Sequence, residues 1–208
     1  LRIGFDPRYV YDASNEHTTQ VLDDARRVLS DLGAKLAEIS MPSKTTAMYK
    51  DWAKFCAVET AVAHEQYYPA RKAEYGPVLA DLIELGRGLG PLELMHVFHD
   101  RLVFIGELRK LFKEIDLLLV PVHPFGNPSA DDLDRIFKTP NGIDDVLRFT
   151  APFDMSGSPT ITIPGGFTPD NLPVGFQLVG RHLDEALLVR AAHAYQGATD
   201  WHRRHPTL

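Results

Sequence analysis

Two short apolar runs separated by an amphipathic helix pattern open this sequence. Residues 1–5 (LRIGF) have the composition of a buried strand, and Pro7, which lacks an amide donor, ends it. Apolar residues then recur at helical spacing from about His17 until Gly33, and residues 34–39 resume as a strand. Residues 1–42 therefore predict a β-α-β unit, which usually forms a right-handed crossover within a parallel sheet.

A helical region is predicted next, over residues 43–113. Its apolar periodicity indicates three helices, with breaks at residues 75–77 and 86–91. In the third helix the apolar residues maintain one stripe, which we interpret as core packing. The stripe consists of Leu94, Val97, Phe98, Leu102, Ile105, Leu108 and Phe112.

Residues 114–208 are predicted to hold the core of the sheet, a pocket loop and a closing helix. DLLLVP, residues 116–121, is typical of a strand buried on both faces. The prolines and aspartates of residues 121–145 predict a long loop with little regular structure. This loop leaves the carboxyl end of a buried strand, where open α/β sheets place ligand crevices, so we expect it to border a site.

Two further strand patterns, residues 159–164 and 172–180, are joined by a hairpin-like connection. A final helix is expected to begin after Asp184. Together these elements predict an α/β fold in which helices flank a mixed, largely parallel sheet.

Charge and composition restrict the kinds of partner. The net charge is −6, and charged residues of both signs are interspersed, so no direct nucleic-acid binding is expected. The sequence has no apolar run of about 20 residues and no signal-peptide pattern, which favours a cytoplasmic protein without membrane contact. The single cysteine, Cys56, cannot form an internal disulfide and favours a reducing compartment.

Local motifs give little sign of chemistry. Residues 156–158 (SGS) lack the strand–turn–helix context of a serine nucleophile, and we interpret them as a structural turn. Gly165 and Gly166 match no phosphate-binding loop and predict a bulge or a close backbone approach. His96 and His99 share a helix face but have no second ligand cluster nearby in the sequence. We therefore expect neither a metal nor a cofactor.

Three motifs in order resemble the closing segment of amidase-signature enzymes. They are D-x-L-L-x-P at residues 116–121, F-T-x-P-x-D-x-x-G-x-P at 149–159, and P-V-G-x-Q-L at 173–178. The family usually has Asn where Asp154 stands and Thr where Ser156 stands. The opening β-α-β unit is also similar to the family, and residues 43–113 match a variable helical region. The resemblance implies that residues 1–208 are the carboxyl-terminal part of one amidase-like domain.

The resemblance implies hydrolysis of a linear carboxamide through a serine acyl-enzyme. The family's Gly/Ser-rich run, with two serines and a lysine base, has no counterpart in these residues, so no catalytic residue is assigned and the segment alone is expected to be inactive. Pocket-lining roles are implied for Thr150 and Phe153 in the acyl channel, and for Pro121, His123 and Phe125 at its entrance. A helix cap for Thr150 and a core aromatic for Phe153 are the alternatives.

Several functions remain open at this point. The parent could be a free-standing amidase, or the A-type glutaminase subunit of a transfer-RNA-dependent amidotransferase. The chain could also be a non-catalytic binding or scaffolding domain, or a small-ligand sensor. The partners expected are the missing amino-terminal half and a small amide substrate. If the parent sheet continues into the missing half, unpaired strand edges and exposed apolar surface predict aggregation or a homodimer.

Overall fold

The computed structural model describes residues 1–126 and 128–205. Within them, five strands form one sheet in the order β2-β1-β3-β5-β4. The strands are β1 (Arg2–Phe5), β2 (Lys35–Glu38), β3 (Leu117–Pro121), β4 (Thr160–Phe167) and β5 (Pro173–Val179). β1 pairs in parallel with β2 and β3, whereas β5 pairs antiparallel with β3 and β4. The predicted mixed α/β sheet is confirmed, with parallel and antiparallel pairings in equal number.

The opening β-α-β unit is present as predicted. Between β1 and β2 lie a short helix, α1 (Pro7–Tyr11), and a long one, α2 (Glu16–Asp31). Asn15 caps α2 by accepting a hydrogen bond from the Thr18 amide at 3.0 Å. Gly33 follows the helix with the left-handed φ of +89° that its position predicts.

The helical region contains three long helices and a short one. They are α3 (Thr45–Ala63), α4 (Tyr68–Arg71), α5 (Pro77–Gly88) and α6 (Pro91–Leu111), with a 3₁₀ turn at Lys72–Glu74. The interpretation of the whole α6 stripe as core was wrong. Phe104 and Leu108 are buried, but Leu102 is 68% exposed. Leu102 and Phe104 are two residues apart, and at 3.6 residues per turn they point to opposite sides of the helix.

The prediction of little regular structure in residues 121–145 was also wrong. This segment contains α7 (Ala130–Phe137) and most of α8 (Gly142–Leu147). A capping box starts α7: Ser129 Oγ accepts from the Asp132 amide at 3.2 Å, and the Asp132 carboxylate accepts from the Ser129 amide at 3.3 Å. The prolines lie outside these helices, where they do not interrupt the hydrogen-bond ladder.

The remaining elements are α9 (Ala151–Ser156), the β4–β5 hairpin, α10 (Glu185–Ala198) and a 3₁₀ turn at Trp201–Arg203. Asp184 holds the predicted N-cap position of α10, although its side chain accepts no capping hydrogen bond. The bulge and the close approach predicted at Gly165 and Gly166 are both confirmed. The β4 register shifts between Pro164 and Gly166, and a Cβ on Gly165 would lie 2.5 Å from Val21 Cγ1.

Helices cover both faces of the sheet, and β3 is buried between them. Leu117 and Leu119 pack with α2 and α10 on one face, while Leu118 and Val120 pack with α3, α6 and α9 on the other. All five β3 residues are buried, as the continuous apolar run predicts.

Unpaired strand edges and exposed apolar side chains, the features from which we predicted association, are both present. β2 and β4 form the edges of the sheet. On α6, Leu92, Met95 and Leu102 expose 61–77% of their surface along one side. Association through these surfaces stays a prediction.

Among residues 1–126 and 128–205, no helix combines the length and apolar content that a bilayer crossing requires.

Candidate functional site

The carboxyl end of β3 holds the first group of predicted pocket residues. Pro121 ends the strand and pairs with Phe176 of β5, and His123 and Phe125 follow it. α2 fixes the start of this loop: Thr18 Oγ1 donates to the His123 carbonyl at 3.3 Å and accepts from the Gly126 amide at 2.8 Å. The loop therefore leaves the sheet in a defined direction.

Thr150 comes from another part of the chain and lies near the same end of β3. We refer to this end of the sheet as the edge, as distinct from the outer strands β2 and β4. The Gln177 amide donates to the Phe149 carbonyl at 3.0 Å, and Gln177 lies opposite Val120 in the β3–β5 register. Thr150 occupies the N-cap position of α9, where its Oγ1 donates to the Leu147 carbonyl at 3.4 Å and makes no capping contact. The sequence-predicted residues Pro121 and Thr150 are thus brought to one edge.

Phe153 has a different environment. Its side chain is only 2% exposed and packs in the cluster that joins α3, α6 and α9 to the sheet. In this chain it is a core aromatic that supports α9, and it borders none of the cavities described below.

Of the five predicted residues, Phe125 lines a cavity. This cavity, of about 570 Å³, lies between the pocket loop, α7 and the β4–β5 connection. Its wall includes His17, Asp132, Arg135 and Asp170. The mixed charge of this wall favours neither a cation nor an anion.

Tyr9 and Arg148 also lie at this edge, although no sequence motif indicated them. The Tyr9 hydroxyl donates to the Arg148 carbonyl, and its ring packs edge-on against Phe149 at 5.0 Å. The Arg148 guanidinium lies over the rings of Tyr49 and Phe149, at 5.4 and 5.8 Å from their centroids. Arg148 Nε is shielded from solvent and makes no hydrogen bond to any described residue. No local signal could have found this group, because its members come from three distant segments.

Burial shifts the pKa of two side chains at this edge, His123 and Tyr9. It lowers the pKa of His123 below the usual 6.5, so the imidazole is neutral at pH 7. His123 Nδ1 is buried and makes no hydrogen bond to the described part of the chain. Burial likewise raises the pKa of the Tyr9 phenol, which keeps it a hydrogen-bond donor. The edge therefore offers a neutral imidazole, a phenol and one cation between aromatic rings.

His123 should make stability fall as the solution becomes acidic. Its folded pKa is depressed, so the unfolded chain takes up the proton first once the pH falls below about 6.5. The free energy of unfolding should therefore decrease from pH 7.5 to pH 5 more steeply in the native protein than in a His123→Gln variant. Urea unfolding at several pH values measures this difference. A gap between the two proteins that does not change with pH would contradict the assignment.

The described residues form no complete catalytic unit. Within residues 1–126 and 128–205, no serine, threonine or cysteine side chain hydrogen-bonds a histidine or lysine side chain. The SGS segment is the expected turn, in which Gly157 has φ +70° and Ser156 Oγ donates to the Phe153 carbonyl at 3.0 Å. The chemistry that this edge supports is binding and orientation of a polar group.

Comparisons with known proteins agree on one family. The sequence model described as Amidase matches residues 1–189. A protein of Mycobacterium tuberculosis named "Putative amidase AmiD" is 38% identical over 208 residues, covering 97% of this chain and 43% of the relative. The A-type subunit of the glutamyl-tRNA(Gln) amidotransferase of Chloroflexus aggregans is 31% identical over 235 residues, covering all of this chain and 46% of the relative.

Solved structures agree in fold. The structure of 6-aminohexanoate cyclic dimer hydrolase with its substrate superposes with a TM-score of 0.84 at 23% identity, covering all of this chain and 47% of the hydrolase. At that identity the likeness concerns the fold alone. The chain spans less than half the length of the curated relatives that it matches.

Proposed function

Since this chain belongs to the amidase family, we propose that it forms the carboxyl-terminal half of an amidase that cleaves a carboxamide through a serine acyl-enzyme. In this proposal the two serines and the lysine base come from the other half of the parent protein. The present chain supplies the core of the sheet and one wall of the substrate pocket.

One observation carries this proposal. The motifs that resemble the family are far apart in sequence, yet the Gln177–Phe149 hydrogen bond and the Val120–Gln177 pairing hold them at one edge of the sheet. That edge combines the carboxyl end of β3 with the start of α9. A pocket wall requires such rigid support, because a displacement of about 1 Å at a reacting group can lower a rate a hundredfold.

The residues at this edge have distinct proposed roles. Thr150 and Arg148 contact the substrate, while Pro121, His123 and Phe125 border the way in. The neutral His123 adds a polar ring without a second positive charge. Phe153 acts indirectly, since its burial fixes α9 and thereby Thr150. The serine of the parent gives its proton to the lysine base and attacks the amide carbonyl, and backbone amides stabilise the oxyanion. The amine leaves with that proton, and water then hydrolyses the acyl-enzyme.

A glutaminase subunit is the second candidate. It is favoured by the 31% identity with the A-type subunit of an amidotransferase over the whole of this chain. The free-standing enzyme is our first candidate, and it is supported by the higher identity, 38%, with a relative named as an amidase. The two differ in substrate, because a glutaminase subunit releases ammonia from glutamine.

The experiment that tests the proposal compares the full gene product with the 208-residue chain. Both proteins are assayed for ammonia release from hexanamide, benzamide and glutamine. We expect the full product to hydrolyse a simple carboxamide and the 208-residue chain to be inactive. Preference for glutamine would favour the hypothesis that the parent is a glutaminase subunit. An inactive full product would contradict both enzymes and favour a binding or scaffolding domain.

Arg148 provides a specific test of the pocket wall. In the active parent, Arg148→Met should lower kcat/KM by about tenfold, equivalent to about 1.4 kcal/mol of lost transition-state binding. The control is Arg190→Met, since Arg190 is exposed on α10, away from this edge. Equal kcat/KM values in the two variants would show that Arg148 does not contact the substrate.

A further inference from the structure

A second cavity lies at the other end of β3, away from the proposed substrate edge. Asp116 immediately precedes β3, and Arg181 follows β5. Because these strands are antiparallel, Arg181 reaches back and donates to Asp116 Oδ1 at 3.1 Å. The cavity beside this ion pair has a volume of about 570 Å³, within the usual range for small-molecule sites.

The floor of the cavity is apolar. It is formed by the last two turns of α6 and the residue after them: Ile105, Leu108 and Phe112. Leu108 and Phe112 are largely buried, so the floor is a continuation of the protein core. A hydrocarbon or aromatic group placed on it would remove apolar surface from water, which favours binding.

Two cations stand at the rim. Arg109 and Lys113 both line the cavity and are four residues apart, so they lie on the same side of the α6 end. Neither forms an ion pair or a side-chain hydrogen bond with any residue in the described part of the chain. The protein has a net charge of −6, but these two unpaired cations make the electrostatic potential beside the apolar floor locally positive.

The carboxyl end of α6 does not account for both cations. A helix end attracts positive charge through its unsatisfied carbonyls. Here Arg181 donates to the Phe112 carbonyl at the end of α6 and to the Ile115 carbonyl in the segment before β3, each at 3.0 Å. Arg109 and Lys113 are therefore free to bind a ligand.

The far wall is polar and is held in place by hydrogen bonds. Ser158 Oγ lies 2.9 Å from Ser156 Oγ, and His182 Nε2 lies 2.9 Å from the Ser156 carbonyl. A carbonyl only accepts, so His182 Nε2 carries a proton and the ring orientation is fixed.

From these contacts we propose that this cavity binds a small monocarboxylate with an apolar body. The carboxylate lies between Arg109 and Lys113, and the body covers Leu108 and Phe112. A monocarboxylate with an apolar body is favoured over inorganic phosphate because only the former covers the apolar surface of Leu108 and Phe112. This site is separate from the substrate edge and does not depend on the proposed hydrolysis.

The test uses the full 208-residue chain and two probes of the same shape. Isothermal titration compares 4-phenylbutyrate with its neutral amide, 4-phenylbutyramide. We expect the acid to bind with a Kd of about 1 mM or tighter and at least tenfold more tightly than the amide, which corresponds to about 1.4 kcal/mol. Equal binding of the two probes, or no binding of the acid, would overturn the proposal. Tighter binding of inorganic phosphate than of the acid would also overturn it.

Three charge-removing variants locate the site. Arg109→Met and Lys113→Met should each weaken binding of the acid about tenfold. Lys110→Met removes the same charge from the same helix end, but Lys110 does not line the cavity, so affinity should change less than twofold. An equal loss in all three variants would mean that only the net charge matters, and the site would be rejected. Circular dichroism spectra of all three verify the fold.

Discussion

Phe153→Ala should lower the free energy of unfolding by about 3–5 kcal/mol, the cost of removing a large aromatic from a packed core. Phe153 is almost fully buried, with neighbours from α3, α6 and the sheet. The deletion would leave a cavity between these elements that a rigid three-layer arrangement cannot close. Urea unfolding followed by fluorescence measures the effect.

A more conservative substitution distinguishes a packing role of Phe153 from a pocket-lining role. Phe153→Leu keeps most of the volume and should cost much less than the alanine variant. Phe125→Ala removes the same ring from a half-buried position beside a cavity and should cost about 1 kcal/mol or less. If Phe153→Ala and Phe125→Ala were equally mild, Phe153 would face open space, as the acyl-channel role implies.

Gly86→Ala should destabilise the helical region by about 1–3 kcal/mol. α5 approaches α3 so closely that a Cβ on Gly86 would lie 2.0 Å from the Ala57 carbonyl oxygen. This contact is with the backbone, so no side-chain rotation can relieve it, and the two helices must separate. Thermal and urea unfolding should both register the loss.

Gly106 is the matched control for this substitution. It also lies in a helix, but a Cβ there would meet no atom within 4 Å apart from the backbone of its own helix turn and its chain neighbours. Gly106→Ala should therefore leave stability unchanged or raise it by about 0.5–1 kcal/mol, through the better helix propensity of alanine. A similar loss at both positions would show that α5 and α3 are not in close contact.

The sequence predicted those features that depend on neighbouring residues. The apolar run of β3 and the α2 pattern identify buried elements, because burial repeats with the period of the backbone. The glycine pair in β4 predicted the bulge, because a Cβ has no room there. The motif resemblance predicted Pro121 and Thr150 as lining residues of one pocket, and the Val120–Gln177 register with the Gln177–Phe149 hydrogen bond brings their segments to the same end of β3.

Other features depend on the tertiary structure or on weaker signals. The capping box of Ser129 and Asp132 could have predicted α7, but the surrounding prolines suggested a loop. The Tyr9–Arg148 contact spans 139 residues, and no local pattern encodes it. The exposure of Leu102 could not be read from apolar periodicity, because a stripe on a helix does not show which neighbours cover it.

The pairing of β1 with β3 has a consequence for the order in which this chain acquires its structure. Arg2 and Asp116 exchange hydrogen bonds across 114 positions, so during synthesis β1 waits for its partner until the long segment between them has emerged. The helices in between can form from local contacts during that interval, whereas the sheet requires closure of a long loop. During synthesis, the β1–β2 ribbon therefore has an open edge that β3 later covers.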